Sequence, residues 1–485
     1  LGLRWETYGK VGQATLGNNV GFRSGNDFRS RIADGKNVTS RNILQRADNN
    51  NFAPRISFAW DPTGKGKTSI RGGGGIFYDF LPSQLYGGAH YTPPIYMIIT
   101  ASQQTAPLLP RYEFGQSATD PYQFPRPLGL GGVIGLDARN GSTFARSNIV
   151  WIDPSLRNSY TYNYSFGVQH ALTSALTLEV NYVGNAGRKL YSKYNVNRYT
   201  GDLIENNGVL RRLNPSFGNI DYSQSNLGSV YHGGTFALRQ RYHNGLLFQV
   251  AYTIGKVIDY GSSFSGGAVN PIDPNNWNIE RGPADHQIGQ KLALSAVWEL
   301  PAPSGSRLVR HVLGDWQLSG IAILQAGRPY SIVCTTPFRP VRTGGAITGN
   351  TGCDYNADGV NNDRPHAPAW GASHLANRSN ADRLTGVFAR TDFAAPGLGQ
   401  RGTLGRNTYF NPGIADTNFS LARTFHIPWF VGAEAADLQV RADAFNTFNR
   451  VNLGGISGDM NSPNFGRVTS AAEGRRFQLG MRFTF

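Results

Sequence analysis

The stretch richest in chemistry is Asp354-Tyr355-Asn356-Ala357-Asp358-Gly359-Val360-Asn361-Asn362-Asp363. Oxygen-bearing side chains stand at positions one, three and five, with glycine at six. A calcium loop of the EF-hand type begins in this way. Such a loop ends on a bidentate acid at position twelve, which here is Pro365, so Asp363 at position ten would have to substitute. The same residues also build an Asx-rich turn without metal. Two readings therefore stand: structural Ca2+ held through Asp354, Asn356, Asp358 and Asp363, or a bare turn. No other cofactor is expected.

Cys334 and Cys353, the only 2 cysteines of the chain, flank the opening of the same stretch. In an exported loop such a pair is expected to form a disulfide, with two buried thiols as the alternative. Catalytic patterns are thin. Gly66-Lys67-Thr68 ends like a phosphate-binding loop, yet the position of its first glycine is Asp61, and strands rather than a helix surround it. Gly72–Gly75 lacks the third glycine of a nucleotide loop, because Phe77 stands there; a strand interior closely approached by backbone is the better account. HExxH, GxSxG and CxxC patterns are missing, and His286 and His366 read as solvated loop residues. No enzyme is expected, and no substrate-binding residue can be assigned.

The elements that must carry these residues are strands. In Arg475–Phe485, Phe477, Leu479, Met481, Phe483 and Phe485 share one face, and Arg476, Gln478, Gly480, Arg482 and Thr484 share the other. That alternation, over roughly 9–11 residues, is what a tilted membrane-crossing strand needs. Similar segments start at Leu1 and recur at 51–60, 68–80, 160–170, 176–184, 231–242, 247–258, 290–300, 315–325, 418–425 and 438–448. About twelve strands are visible by this period-two count. In 315–325 the apolar face switches between Leu318 and Ile321, which predicts a bulge or kink at Gly320. Arg423 interrupts the apolar face of 418–425. His243-Asn244-Gly245 is a hairpin signal.

Short connections (60 to 68, 170 to 176, 242 to 247) or moderately short ones (300 to 315, 425 to 438) alternate with long ones. The long ones are 9–50, 81–159, 185–230, 259–287, 329–416 and 450–474. Strict alternation of this kind is the pattern of outer-membrane barrels, with short periplasmic turns and long extracellular loops. The expected fold is therefore all-β: an antiparallel up-and-down transmembrane β-barrel, partial, in the outer membrane of a Gram-negative-type cell, with the long loops extracellular. Composition agrees. Gly numbers 60, aromatic residues are 12 % and charged residues only 16 %. The formal charge is +15, but the basic residues are dispersed, which fits anionic lipid headgroups as a partner better than nucleic acid.

Several stretches resemble one family: NFAPRISFAWDPTGKGKTSIRGGGGIFYD, LEVNYVGNAGRKLY, LRQRYHNGLLFQVAYTIGKVID, ERGPADHQIGQKLALSAVWELP, GDWQLSGIAILQAGRPYSI and LQVRADAFNTFNRVNLG. Together they look like the barrel of Oar-like TonB-dependent outer-membrane receptors. The resemblance implies uptake of a large or scarce ligand (a glycan, a peptide or a metal chelate) through a plugged barrel of about 22 strands. A TonB-type energy-transducing complex would act through the plug. The chain, residues 1–485, is then expected to be the C-terminal portion of a longer receptor, with plug, regulatory-like domain and signal peptide outside it. The stripe Phe477, Leu479, Met481, Phe483 and Phe485 resembles the signal read by barrel-assembly machinery, so deleting Phe485 is expected to impair assembly. An adhesion or surface-assembly protein and an open diffusion porin are the alternatives.

Overall fold

A computed structural model describes residues 1–7, 12–21, 27–42, 47–82, 148–262, 270–301, 304, 306, 314–371, 378–427 and 436–485. The middle of the expected loop 81–159, and most of the connections 300 to 315 and 425 to 438, lie outside the described residues.

Among the described residues twelve strands form the wall: β1 (Gly2–Glu6), β2 (Asn51–Trp60), β3 (Thr68–Tyr78), β4 (Tyr160–Ala171), β5 (Leu176–Asn195), β6 (Ile220–His243), β7 (Leu246–Asp259), β8 (Gln290–Glu299), β9 (Trp316–Gln325), β10 (Ile414–Ile427), β11 (Ala436–Phe445) and β12 (Arg476–Thr484). Each pairs antiparallel with the next in chain order, so the sheet is an up-and-down meander. Among the described residues β1 and β12 are its two free edges. No described helix is long and apolar enough to cross a membrane.

Register explains the two faces. Val168, Val180, Phe236, Tyr252, Leu292 and Leu324 are successive partners across β4 to β9. Because side chains alternate, one such row puts every apolar stripe on the same side of the sheet. That side stays exposed, with Phe58, Phe166 and Phe236 each at least half accessible. An exposed apolar surface of this extent on a barrel wall is the lipid-facing band.

The short turns are built by their residues. Asn244 and Gly245 both take positive φ (51° and 77°), which a two-residue hairpin of this hand needs. Asp61 accepts hydrogen bonds from the backbone N–H of Thr63 (3.0 Å) and of Gly66 (2.7 Å). The residue standing where a phosphate loop has its first glycine thus closes a hairpin on itself.

The bulge expected at Gly320 is absent. β9 pairs without a register shift on both sides, with Gly320 between Ala296 and Phe419. A Cβ on Gly320 would lie 2.5 Å from the Phe419 ring, so glycine makes room for an outward-facing aromatic side chain. Ile321 and Ile323 simply face inward. The irregularity lies instead at Gly187–Leu190 in β5, with Lys189 at φ 52°. Beyond it β5 and β6 run on as a paired extension, from Leu190↔Leu227 to Asn195↔Asp221, which the alternation count stopped short of. Arg423 is buried over the Phe425 ring, 4.4 Å from its centroid, near the turn end of β10.

The core sits in the loops. One buried cluster joins Ile32, Ile149, Trp151, Tyr194, Phe217 and Tyr222. The other contains Ile332, Tyr355, Phe388, Phe393, Tyr409, Phe465 and both cysteines. The wall itself has one solvent-like face of lipid and a thin interior, so the segments beyond it must make their own core to be ordered.

Candidate functional site

The described parts of the long loops form a packed layer, and the 354–363 segment lies within it. The backbone N–H groups of Gly201 and Leu203, after β5, donate to the carbonyls of Asn356 (2.8 Å) and Ala357 (3.0 Å). The side-chain amide of Asn356 donates to the carbonyl of Ile272, after β7, at 3.0 Å. The N–H of Cys334 donates to the carbonyl of Asp363 at 3.0 Å. Cys334 and Cys353 are joined as a disulfide, with Cα atoms 5.3 Å apart, inside the larger buried cluster.

The four oxygen-bearing residues singled out in the sequence are all buried, Asp354, Asn356, Asp358 and Asp363 being 0–2 % exposed. Asp354 accepts from the N–H of Asp358 (3.0 Å) and of Gly359 (2.8 Å) through its two carboxylate oxygens. Asp358 accepts from the N–H of Val360 at 2.9 Å, and its other oxygen pairs with the Arg198 guanidinium at 2.7 Å. Asp363 accepts the N–H of Asn356 at 2.9 Å on Oδ2, while its Oδ1 takes no well-formed hydrogen bond. Burial, reinforced by the charge of Asp358, pushes the Asp354 carboxyl up to about 6. Burial, with the Asp358 and Asp354 charges adding to it, pushes Asp363 up to about 7.

One further buried pair lies within the layer, and another ties the layer to the wall. Arg364 meets Glu280 at 2.8 Å. Arg406 pairs with Asp259 at the outer end of β7 and with Asp285 at 3.0 Å. Sequence reading found none of these arginines. Their partners stand 160 and 84 residues away for Arg198 and Arg364, so no local spacing announces them. Asparagine is likewise an internal tie: the Asn197 side chain donates to the carbonyls of Asn214 (3.0 Å) and Gly218 (2.7 Å). Where the layer meets the inward face of β5 to β7, a cavity of about 470 Å³ opens, lined by Asn185, Ser229, Tyr231, Asp259, His286 and Gln287 among others.

A wall of consecutive antiparallel strands, apolar on one face and carrying an ordered layer of long loops at one end, has a counterpart among known families. The model of the family described as outer membrane beta barrel domain matches residues 1–478. The chain belongs to that family. This places the wall in the outer membrane and the loop layer outside the cell. No curated protein matches the chain. Solved structures to which it is similar include the outer membrane transporter YddB from Escherichia coli, at 12 % identity and TM-score 0.45, covering 92 % of this chain and 42 % of that one. The pyoverdine outer membrane receptor FpvA from Pseudomonas aeruginosa is matched at 10 % identity and TM-score 0.39, over 93 % of this chain and 38 % of that one. The FrpB iron transporter from Neisseria meningitidis is matched at 11 % identity and TM-score 0.37, over 92 % and 40 %. The chain thus spans about two-fifths of the length of each.

In this outer membrane barrel the stripe Phe477, Leu479, Met481 and Phe483 lies on β12, at a free edge, paired to Ala444, Ala442, Val440 and Leu438 of β11. Phe485 follows the strand, its ring 5.7 Å from that of Phe483. Both lie at the end of the wall that carries the short turns.

Proposed function

We propose that this barrel is the wall and outer-loop portion of an Oar-like, TonB-dependent receptor that takes up a large or scarce ligand, of the class of a glycan, a peptide or a metal chelate. The observation that carries the reading is the loop layer. Two hydrophobic clusters, a disulfide and buried Arg–carboxylate pairs hold it together, and a cavity of mixed polar and apolar lining opens beneath it on the inward face. Ligand sites are concave, largely preformed and of about 300–1,000 Å³, and rigid loops reduce the ordering cost of capture. An open porin needs no such cap, and an adhesin needs no cavity facing the lumen. In this reading the lipid bilayer surrounds the wall, barrel-assembly machinery inserts it, and a TonB-type complex acts through a plug.

The test is uptake by cells bearing the full-length receptor, compared with its deletion strain on defined glycans, peptides and iron sources. A growth defect on one source, with uptake abolished by collapsing the inner-membrane proton gradient, is expected. Uptake that persists without the gradient would make the barrel a porin. Normal growth on every source, with lost surface attachment, would make it an adhesin.

A further inference from the structure

The geometry points to a calcium site in the 354–363 loop, built from Asp354, Asn356 and Asp363, that locks three extracellular loops together. This inference does not rest on the receptor reading. The Asx turns of the loop do not carry it, since metal-free turns make the same hydrogen bonds. Two other features do.

One is the Asp363 carboxylate. Its side chain is 1 % exposed, and Oδ2 is fastened to the backbone N–H of Asn356 at 2.9 Å, which sets the carboxylate against the third position of the loop. Its Oδ1 is buried and accepts no well-formed hydrogen bond, the Tyr355 N–H bearing on the carboxylate only weakly. A buried carboxylate oxygen without a partner is costly, and native structures fill such positions with a donor or a cation.

The other is the charge balance. Asp354, Asp358 and Asp363 are three buried carboxylates. The Arg198 guanidinium is committed to Asp358 and to the carbonyls of Asn195 and Pro271. Arg364, next to Asp363 in sequence, is committed to Glu280 and to the carbonyls of Leu404 and Ile279. Asp273, whose charge bears on Asp358, has Arg401 at 2.5 Å. No Arg or Lys among the described residues pairs with Asp354 or Asp363, and a divalent cation would hold both ionised in place of the protons that burial otherwise makes them retain. Among the described residues no three His, Cys, Asp or Glu side chains are arranged to hold a metal. With Asp358 held by Arg198, two carboxylates and the Asn356 amide oxygen, which also accepts the Asp358 N–H at 3.0 Å, are left as side-chain ligands. A wholly oxygen donor set selects a hard cation, and calcium accepts irregular geometry completed by backbone carbonyls and water, whereas magnesium demands a near-ideal octahedron. The loop's hydrogen bonds to Gly201, Leu203, Ile272 and Cys334 then make the ion a clamp on the segments following β5, β7 and β9.

The test uses the full-length protein extracted in detergent and stripped with a chelator. Calcium chloride, and magnesium chloride in parallel, are titrated by calorimetry, and protease resistance of the loops is followed. One saturable calcium site is expected, with Kd of about 10⁻⁴–10⁻³ M as in extracellular modules, and slower cleavage when it fills. Asp363→Asn keeps the size and the acceptor for the Asn356 N–H, and should weaken calcium at least tenfold; Asp354→Asn should do the same if that variant fails to fold. Absence of calcium heat in the wild type, undiminished binding in the folded variant, or equal binding of magnesium would each overturn the assignment.

Discussion

Asp354 and Asp363 give the loop layer a pH dependence of definite sign. Burial raises both carboxyls in the folded chain from 3.8, to about 6 and about 7. Between those limits the folded state holds protons that the unfolded state has released, so stability falls as pH rises. The contribution is complete below 3.8 and is lost as pH passes through the two raised values. In chelator, the melting temperature of the layer followed by near-UV dichroism should therefore drop between pH 5 and pH 8. Asp363→Asn, with no proton to lose, should flatten the upper part of that window. A melting temperature that rises over the same window would refute the argument. Another residue-scale case is Gly320, where any Cβ meets the Phe419 ring at 2.5 Å. Gly320→Val should cost about 1–3 kcal/mol by overpacking, seen as a lower temperature for loss of the folded band on gels. Gly480→Ala, at a strand position with nothing within 4 Å, should leave that temperature unchanged. The alternation of Leu318 and Ile321 was legible in the sequence, but its cause was not. Whether a glycine marks a bulge or yields to a ring depends on the partner strand, and Phe419 lies far along the chain.

At the scale of elements, the wall was legible and the layer above it was not. Period-two alternation marks most of the wall because lipid on one side and the lumen on the other impose it locally. The strand positions, the Asn244-Gly245 hairpin and the order of pairing all follow from it. The extensions of β5 and β6 do not alternate, because residues such as Tyr194 and Tyr222 pack into a cluster with Trp151 and Ile32 from other loops. Isolated hydrophobic residues among Gly and Asn read as loop until the fold gathers them. The ties of that layer can be weighed. The disulfide closes a loop spanning a sequence separation of 19. Cys334→Ser with Cys353→Ser should destabilise the layer by about 3 kcal/mol in the chain-entropy account, measured as faster proteolysis of the loops. Arg364→Met leaves Glu280 buried and unpaired, at a cost of about 3–5 kcal/mol. The double variant Arg364→Met with Glu280→Met should recover much of that loss. A double variant as unstable as the single one would mean that the hydrogen bonds of Arg364 to Ile279 and Leu404 matter more than its charge.

At the scale of the whole molecule, the alternation of connection lengths fixes a single orientation. The strand ends joined by the short connections lie where β12 finishes, and those joined by the long ones lie at the other end, where 354–363 joins the layer. An outer membrane barrel inserted in this sense exposes Asn361 to the medium and the turn residue Lys65 to the periplasm. The chain lends itself to a direct test, because its 2 cysteines are bonded to each other and no free thiol remains. A cysteine introduced at Asn361 or at Lys65, both exposed side chains, is then the single reactive thiol within residues 1–485. Asn361→Cys should react with a membrane-impermeant maleimide in intact cells. Lys65→Cys should react only after the outer membrane is permeabilised. The reverse pattern would invert the barrel and remove the loop layer from any role in capturing ligand from outside. Equal labelling of both sites in intact cells would mean that the wall does not span the membrane, since the two positions lie at opposite ends of the same sheet.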